Sequence, residues 1–166
     1  MSRPGDAKLL TLVRKLADRL LAEGRMLATA ESCTGGLIAK CVTDLPGSSA
    51  WFERGWVTYS DRAKRQELGV AAGLLKRHGA VSEPVARAMA RGALKHSRAS
   101  VAVAVTGIAG PDGGSRDKPV GTVWIAWAWQ ESADPRVVSW RYRFEGDRDA
   151  VRRQTTATAL KGLVEG

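Results

Sequence analysis

The sequence predicts a single α/β domain of 166 residues, a three-layer α/β/α sandwich around a mixed sheet. Three observations carry this. Segments with apolar residues at helical spacing alternate with short apolar runs in the order α-β-α-β-α-α-β-β-β-α. Two runs, Ser100 to Val105 and Gly121 to Trp129, are apolar on both faces, as central strands covered on both sides must be. No repeat, low-complexity tract or linker interrupts the chain, so residues 1–166 read as one domain. A domain of this length buries roughly 70% of its unfolded surface and needs no metal or disulfide staple.

The first helix is Asp6 to Glu23, with Leu9, Leu12, Val13, Leu16, Leu20 and Leu21 at helical spacing and Gly24 placed to end it. Met26 to Ala30 reads as a buried strand running into Glu31-Ser-Cys-Thr-Gly-Gly36, and Leu37 to Thr43 as a second helix. Leu45-Pro-Gly-Ser-Ser is a turn, and Gly55 to Tyr59 a strand followed by a helix that Ser60 or Asp61 caps. Ser82 to His96 is a helix with Val85, Met89 and Ala93 aligned. Between the two central strands lies a Gly- and Pro-rich loop, Gly107 to Pro119. Val137 to Phe144 alternates, with Val138, Trp140, Tyr142 and Phe144 on one face and Ser139, Arg141 and Arg143 on the other, as in a strand solvated on one side. Asp147 to Val164 is the final helix.

Composition narrows the class. The sequence is 44% apolar and 26% charged, the profile of a globular protein and not of a disordered or fibrous one. Cys33 and Cys41 have no CxxC partner, which excludes a disulfide scaffold or zinc ribbon and suits a reducing cytosol. No signal peptide is visible. The longest apolar run, Val120 to Trp129, is about half the roughly 20 residues a membrane span requires. A cytoplasmic protein without membrane contact is expected. His78 and His96 stand apart without a carboxylate cluster, so no metal site or cofactor is expected.

Three loops have compositions suited to chemistry. In Glu31-Ser32-Cys33-Thr34-Gly35-Gly36, a strand ends in hydroxyls and glycines before a helix, which gathers backbone N–H groups at a positive dipole end. Ser32 or Thr34 there is either a helix cap or a nucleophile beside an oxyanion site. The glycine spacing is not that of the GxSxG elbow, and Cys33 without a nearby His reads as a small buried side chain. In Tyr59-Ser-Asp-Arg-Ala-Lys64, the lysine is a general base if burial or neighbouring cations lower its pKa, and otherwise an ordinary surface lysine. The spacing is not YxxxK and there is no GxGxxG, which disfavours a nicotinamide-dependent oxidoreductase. In Thr106 to Gly114, four glycines in nine residues let backbone approach a ligand. Ser115-Arg-Asp-Lys118 matches SxxK only formally, since no helix aligns the pair. Arg148, at the start of the last helix, either grips a phosphate or pairs with the aspartates beside it.

Taken together, Ala30-Glu-Ser-Cys-Thr-Gly-Gly36, Gly47-Ser-Ser-Ala50, Tyr59-Ser-x-x-x-Lys64, His78-Gly-Ala-Val-Ser82, Thr106-Gly-Ile-Ala-Gly-Pro-Asp-Gly-Gly114, Lys118-Pro-Val-Gly-Thr-Val123 and Gly146-Asp-Arg148 resemble the C-terminal domain family of the competence-induced protein CinA, in its stand-alone form. The resemblance implies a nicotinamide-nucleotide amidohydrolase of pyridine-nucleotide salvage, converting nicotinamide mononucleotide to nicotinate mononucleotide and ammonia. It implies Ser32 as nucleophile with Tyr59 and Lys64 as acid–base partners, Lys64 taking the Ser32 proton directly or through Tyr59. Glu31, Cys33, Thr34, Gly35, Gly36, Ser48, Thr106, Gly107, Gly110, Asp112, Gly113 and Arg148 are the expected substrate-binding residues, amides of the Cys33 to Gly36 turn holding the oxyanion. A homodimer is also implied. The N-terminal domain of larger relatives is missing, so its pyrophosphatase-type activity does not transfer.

The alternatives are a basic nucleic-acid-binding protein and an amidohydrolase of another small amide. The first has the net charge of +9, six tryptophans and the Arg87/Arg91/Lys95 stripe in its favour. Against it, most of the tryptophans fall in apolar strands, where core packing is their ordinary use.

Overall fold

The computed structural model describes residues 2–166. The helices are α1 (Asp6–Glu23), α2 (Leu37–Thr43), α3 (Asp61–Leu68), α4 (Ala72–His78), α5 (Glu83–Lys95) and α6 (Arg148–Glu165). The strands are β1 (Leu27–Glu31), β2 (Phe52–Val57), β3 (Val101–Gly107), β4 (Thr122–Trp129) and β5 (Arg136–Arg143). They form one sheet in the order β2-β1-β3-β4-β5. β1 pairs in parallel with β2 and β3, while β4 and β5 add antiparallel. The expected three-layer mixed architecture is therefore the one observed.

The two faces of the sheet differ in side-chain size. Val101, Val103, Val105, Val123, Ile125, Trp127 and Trp129 point to the face covered by α1, α2 and α6. Their neighbours Ala28, Ala30, Ala102, Ala104, Ala126 and Ala128 point to the other face, against α3, α4 and α5. Small residues on the sheet and Ala86, Ala90 and Ala93 on α5 let that helix lie close. A Cβ at Gly92 would overlap the Leu68 carbonyl, so α5 also fixes where α3 ends.

Three elements differ from expectation. α4 was not anticipated: it is one short helix with no side-chain N-cap, entered from Ala71. β2 starts at Phe52, before the expected Gly55: it is an edge strand, so exposed Arg54 and the half-buried Glu53 that pairs with it are accommodated within the strand. On β5 the polar face is not freely solvated. Ser139 donates to Glu83 and accepts from Arg87, both on α5, while Trp140 on the apolar face is 62% exposed.

The β1–α2–β2 connection passes over one face and the β2-to-β3 connection, through α3–α5, over the other. The chain thus departs from β1 in both directions, and a crevice opens at the carboxyl ends of β1, β2 and β3 where such sheets bind ligands.

Candidate active site

Ser32 directly follows β1, and its amide donates to the Val105 carbonyl of β3 at 3.1 Å, which fixes it against the sheet end. Gly35 and Gly36 follow at φ 58° and 96°, a region costly for residues with a Cβ, and this tight turn brings the chain round into α2. Lys64 arrives from α3. Ser60 caps that helix by accepting from the Ala63 amide at 3.0 Å, and Gly69 closes it, with the Val70 amide bonded back to the Lys64 carbonyl. Lys64 is therefore held one turn inside a capped helix and points under the crevice floor.

Lys64 is 1% exposed, and its Nζ lies 3.0 Å from Ser32 Oγ. It also donates to the carbonyl oxygens of Thr58 at 2.7 Å and Tyr59 at 3.2 Å. Burial lowers its pKa from the ordinary lysine value, and the more distant Asp61 only partly opposes this. A neutral amine has two N–H donors and one lone pair. Nζ donates to Ser32 Oγ as well as to the two carbonyls; once deprotonated, with its two donors on the carbonyls, its lone pair would face the serine hydroxyl. The arrangement sets a buried amine beside a serine hydroxyl, the pairing that a general base and a nucleophile require.

Ser32, Cys33, Tyr59, Lys64, Thr106, Gly107 and Arg148 line one cleft of about 220 Å³, together with Ala80, Val81 and Ala109. Seven residues expected from the sequence thus meet in space. Tyr59 is 62% exposed, and its hydroxyl accepts from Arg148 Nη2 at 3.1 Å instead of reaching Lys64. Arg148 also donates to the Gly110 carbonyl at 2.7 Å, so Gly110 supports the rim. Thr106 donates to the Ala80 carbonyl and ties the third wall to the loop before α5. Burial pushes the Cys33 thiol up to about 12, which leaves it no thiolate nucleophile, and both cysteines are free and buried.

The other expected residues lie elsewhere. Ser48 sits in a single 3-10 turn before β2, at the amino end of the strands, opposite the cleft. Strand direction separates it from a motif that lies nearby in sequence. Asp112 and Gly113 are exposed on the outer loop and line no part of the cleft. Glu31 and Thr34 are buried behind the turn, bonded to each other at 2.6 Å. The Ser115–Lys118 pair forms a turn: Ser115 Oγ accepts from the Lys118 amide, while the lysine amine donates to the His78 carbonyl.

Arg152, on α6, was not anticipated, and it donates to the Thr34 carbonyl at 2.9 Å. The basic stripe that favoured nucleic acid is largely engaged: Arg87 bonds Ser139, and Arg91 pairs with Asp134. Trp51, Trp127 and Trp129 are buried in the core.

The profile of the CinA C-terminal domain matches residues 9–166. The chain belongs to the CinA C-terminal domain family. Among curated relatives, a nicotinamide-nucleotide amidohydrolase PncC from Shigella flexneri is 58% identical over 158 residues, covering 95% of this chain and 94% of that protein. One of the same name from Pseudomonas putida is 54% identical, covering 95% and 96%. A CinA-like protein from Akkermansia muciniphila is also 54% identical, but this chain spans only 37% of it. The crystal structure of the competence/damage inducible protein CihA from Agrobacterium tumefaciens superposes with a TM-score of 0.92 at 47% identity, covering 98% of this chain and 96% of that one. The CinA-family sheet and its crevice thus account for nearly the whole chain. No helix among the described residues is long and apolar enough to cross a membrane.

Proposed function

We propose that this chain hydrolyses the carboxamide of nicotinamide mononucleotide, releasing nicotinate mononucleotide and ammonia, by acyl transfer to Ser32. The observation that carries the mechanism is the 3.0 Å contact between a buried Lys64 amine and Ser32 Oγ. Relatives at 54% to 58% identity that bear the name nicotinamide-nucleotide amidohydrolase support the substrate.

In this reading neutral Lys64 takes the Ser32 proton as Oγ adds to the carboxamide carbon. The direct transfer is preferred to a relay, since the Tyr59 hydroxyl is engaged with Arg148. The tetrahedral oxyanion needs N–H donors that are not already used. Gly35 and Leu37 amides donate within the turn, and Ile38 and Ala39 donate to Glu31. The Cys33 and Thr34 amides have no acceptor among the described residues, and they follow the nucleophile directly. Protonated Lys64 returns its proton to the leaving nitrogen as the C–N bond breaks, and ammonia departs. Water then adds to the acyl-serine, with Lys64 taking its proton and returning it to Oγ. The cleft receives the ring that bears the carboxamide. Arg148, fixed by Tyr59 and Gly110 at the rim, meets the phosphate.

The product re-enters pyridine-nucleotide synthesis, and the homodimer that the resemblance implies belongs to the same proposal. Ammonia release from nicotinamide mononucleotide by the wild type and by Ser32→Ala tests the reading. Release by the first alone is expected. Undiminished release by Ser32→Ala would refute the covalent route.

A further inference from the structure

Two charged groups outside the cleft hold the turn that carries Ser32. Glu31 is 1% exposed, lies immediately before the serine, and faces away from the cleft. Its Oε1 accepts from Thr34 Oγ1 at 2.6 Å and from the Ile38 amide at 2.9 Å, and its Oε2 accepts from the Ala39 amide at 3.0 Å. These are the second and third amides of α2, the ones an N-cap side chain would ordinarily satisfy. The N-cap is Gly36, which has no side chain to offer. The carboxylate therefore caps α2 from across the turn and encloses residues 32–36 in a closed hydrogen-bonded ring. On the opposite side Arg152 donates to the Thr34 carbonyl at 2.9 Å, and its guanidinium lies 3.3 Å from where a Cβ on Gly35 would stand.

We infer that Glu31 and Arg152 are positioning residues for the nucleophile turn, holding the Thr34 peptide in the one orientation that leaves the Cys33 and Thr34 amides free for an oxyanion. The inference rests on the acyl-transfer reading. Glu31 takes the amides that would otherwise compete for the same anion, and Arg152 adds a second donor to the Thr34 carbonyl that the Leu37 amide already holds, fixing it away from the cleft. Arg152 also lies one helical turn beyond Arg148, so α6 grips both the nucleophile turn and the cleft rim.

The test uses the full chain with Glu31→Gln, Arg152→Met and Arg152→Lys, and two readouts. The first is the rate at which a fluorophosphonate labels Ser32, which needs the serine, its base and the oxyanion amides but no nucleotide. The second is steady-state hydrolysis of nicotinamide mononucleotide from pH 6 to 10. Arg152→Met is expected to slow labelling and lower kcat by roughly tenfold to a hundredfold, the scale of an ångström-level misplacement. KM and the midpoint of the pH profile, which Lys64 sets, should not move. Arg152→Lys should recover part of the loss, and Glu31→Gln should resemble Arg152→Met. If Glu31→Gln does not fold, Arg152→Met and its lysine counterpart carry the test alone. Wild-type labelling rates in folded Arg152→Met would overturn the inference. A shifted pH midpoint would overturn it too, since the pair would then be acting on Lys64. Labelling that falls as expected in a protein that releases no ammonia from the mononucleotide would leave this inference standing and defeat the substrate assignment.

Discussion

Replacing Lys64 with methionine separates the catalytic and structural roles of one buried amine. The side chains are of similar length, so the cavity cost is small. Loss of a general base costs about 10²- to 10⁴-fold in rate, or roughly 3–5 kcal/mol of barrier. Stability is a competition. The variant forfeits donors to the Thr58 and Tyr59 carbonyls, and leaving such groups unpaired costs about 1–3 kcal/mol each. It also removes a charge that burial disfavours. The balance depends on pH. Burial holds the folded-state pKa of Lys64 below the ordinary value of 10.5, so between the two values the unfolded chain binds the extra proton. Wild-type stability therefore rises with pH across that window, by at most about 1.4 kcal/mol per pH unit for one proton. Below the folded-state value the penalty is constant, and above the unfolded value it is gone. Denaturant melts of both proteins from pH 7 to 10.5 should show the wild type gaining on Lys64→Met as pH rises. A flat or falling difference would refute the desolvated-lysine argument, and with it the basis for calling Lys64 a base at moderate pH.

The same lowered pKa should appear in catalysis: kcat/KM for the mononucleotide is expected to rise with pH to a midpoint below the ordinary lysine range, and a midpoint within that range would contradict it. Tyr59→Phe removes only the partner of Arg148, so kcat should fall less than tenfold, whereas a loss matching that of Lys64→Met would restore the tyrosine relay. Arg148→Ala should raise KM for the mononucleotide more than for nicotinamide riboside, which lacks the phosphate, and equal effects on the two would remove the arginine from phosphate binding. Gly92→Ala drives a methyl group into the Leu68 carbonyl and should destabilise by about 1–3 kcal/mol, read as a lowered urea midpoint.

How much was legible in the sequence depended on whether the signal was local. The strand-then-glycine pattern at Glu31 to Gly36 and the Ser60 cap before Lys64 are short-range, and both placed their residues correctly. The final helix was also legible in its bounds, though Gln154, Thr155 and Thr156 are buried because α1, α2 and the sheet surround it. Those polar groups bond back to their own helix, a pattern that hydrophobic periodicity does not register. Distance information was what the sequence lacked. Ser48 and Ser32 sit in neighbouring motifs, yet the parallel β1–β2 register sends them to opposite ends of the sheet. Arg152 resembled any other helix cation until the fold brought it 118 residues back along the chain to Thr34. Glu31 is expected among the substrate-binding residues, and the structure turns its carboxylate inward onto the Ile38 and Ala39 amides.

The alanine-lined face of the sheet has a consequence that reaches the reaction centre. Its methyl layer sets the spacing between sheet and α5, α5 limits where α3 can end, and α3 delivers Lys64 to Ser32. The 3.0 Å gap is thus an inherited dimension, gauged by a row of side chains that never meet the substrate. Enlarging Ala102 or Ala126 would act as a shim, lifting the amine from the hydroxyl while every residue of the cleft stayed chemically intact. Efforts to retune this enzyme for other amides have an adjustment available among side chains that line no part of the cleft.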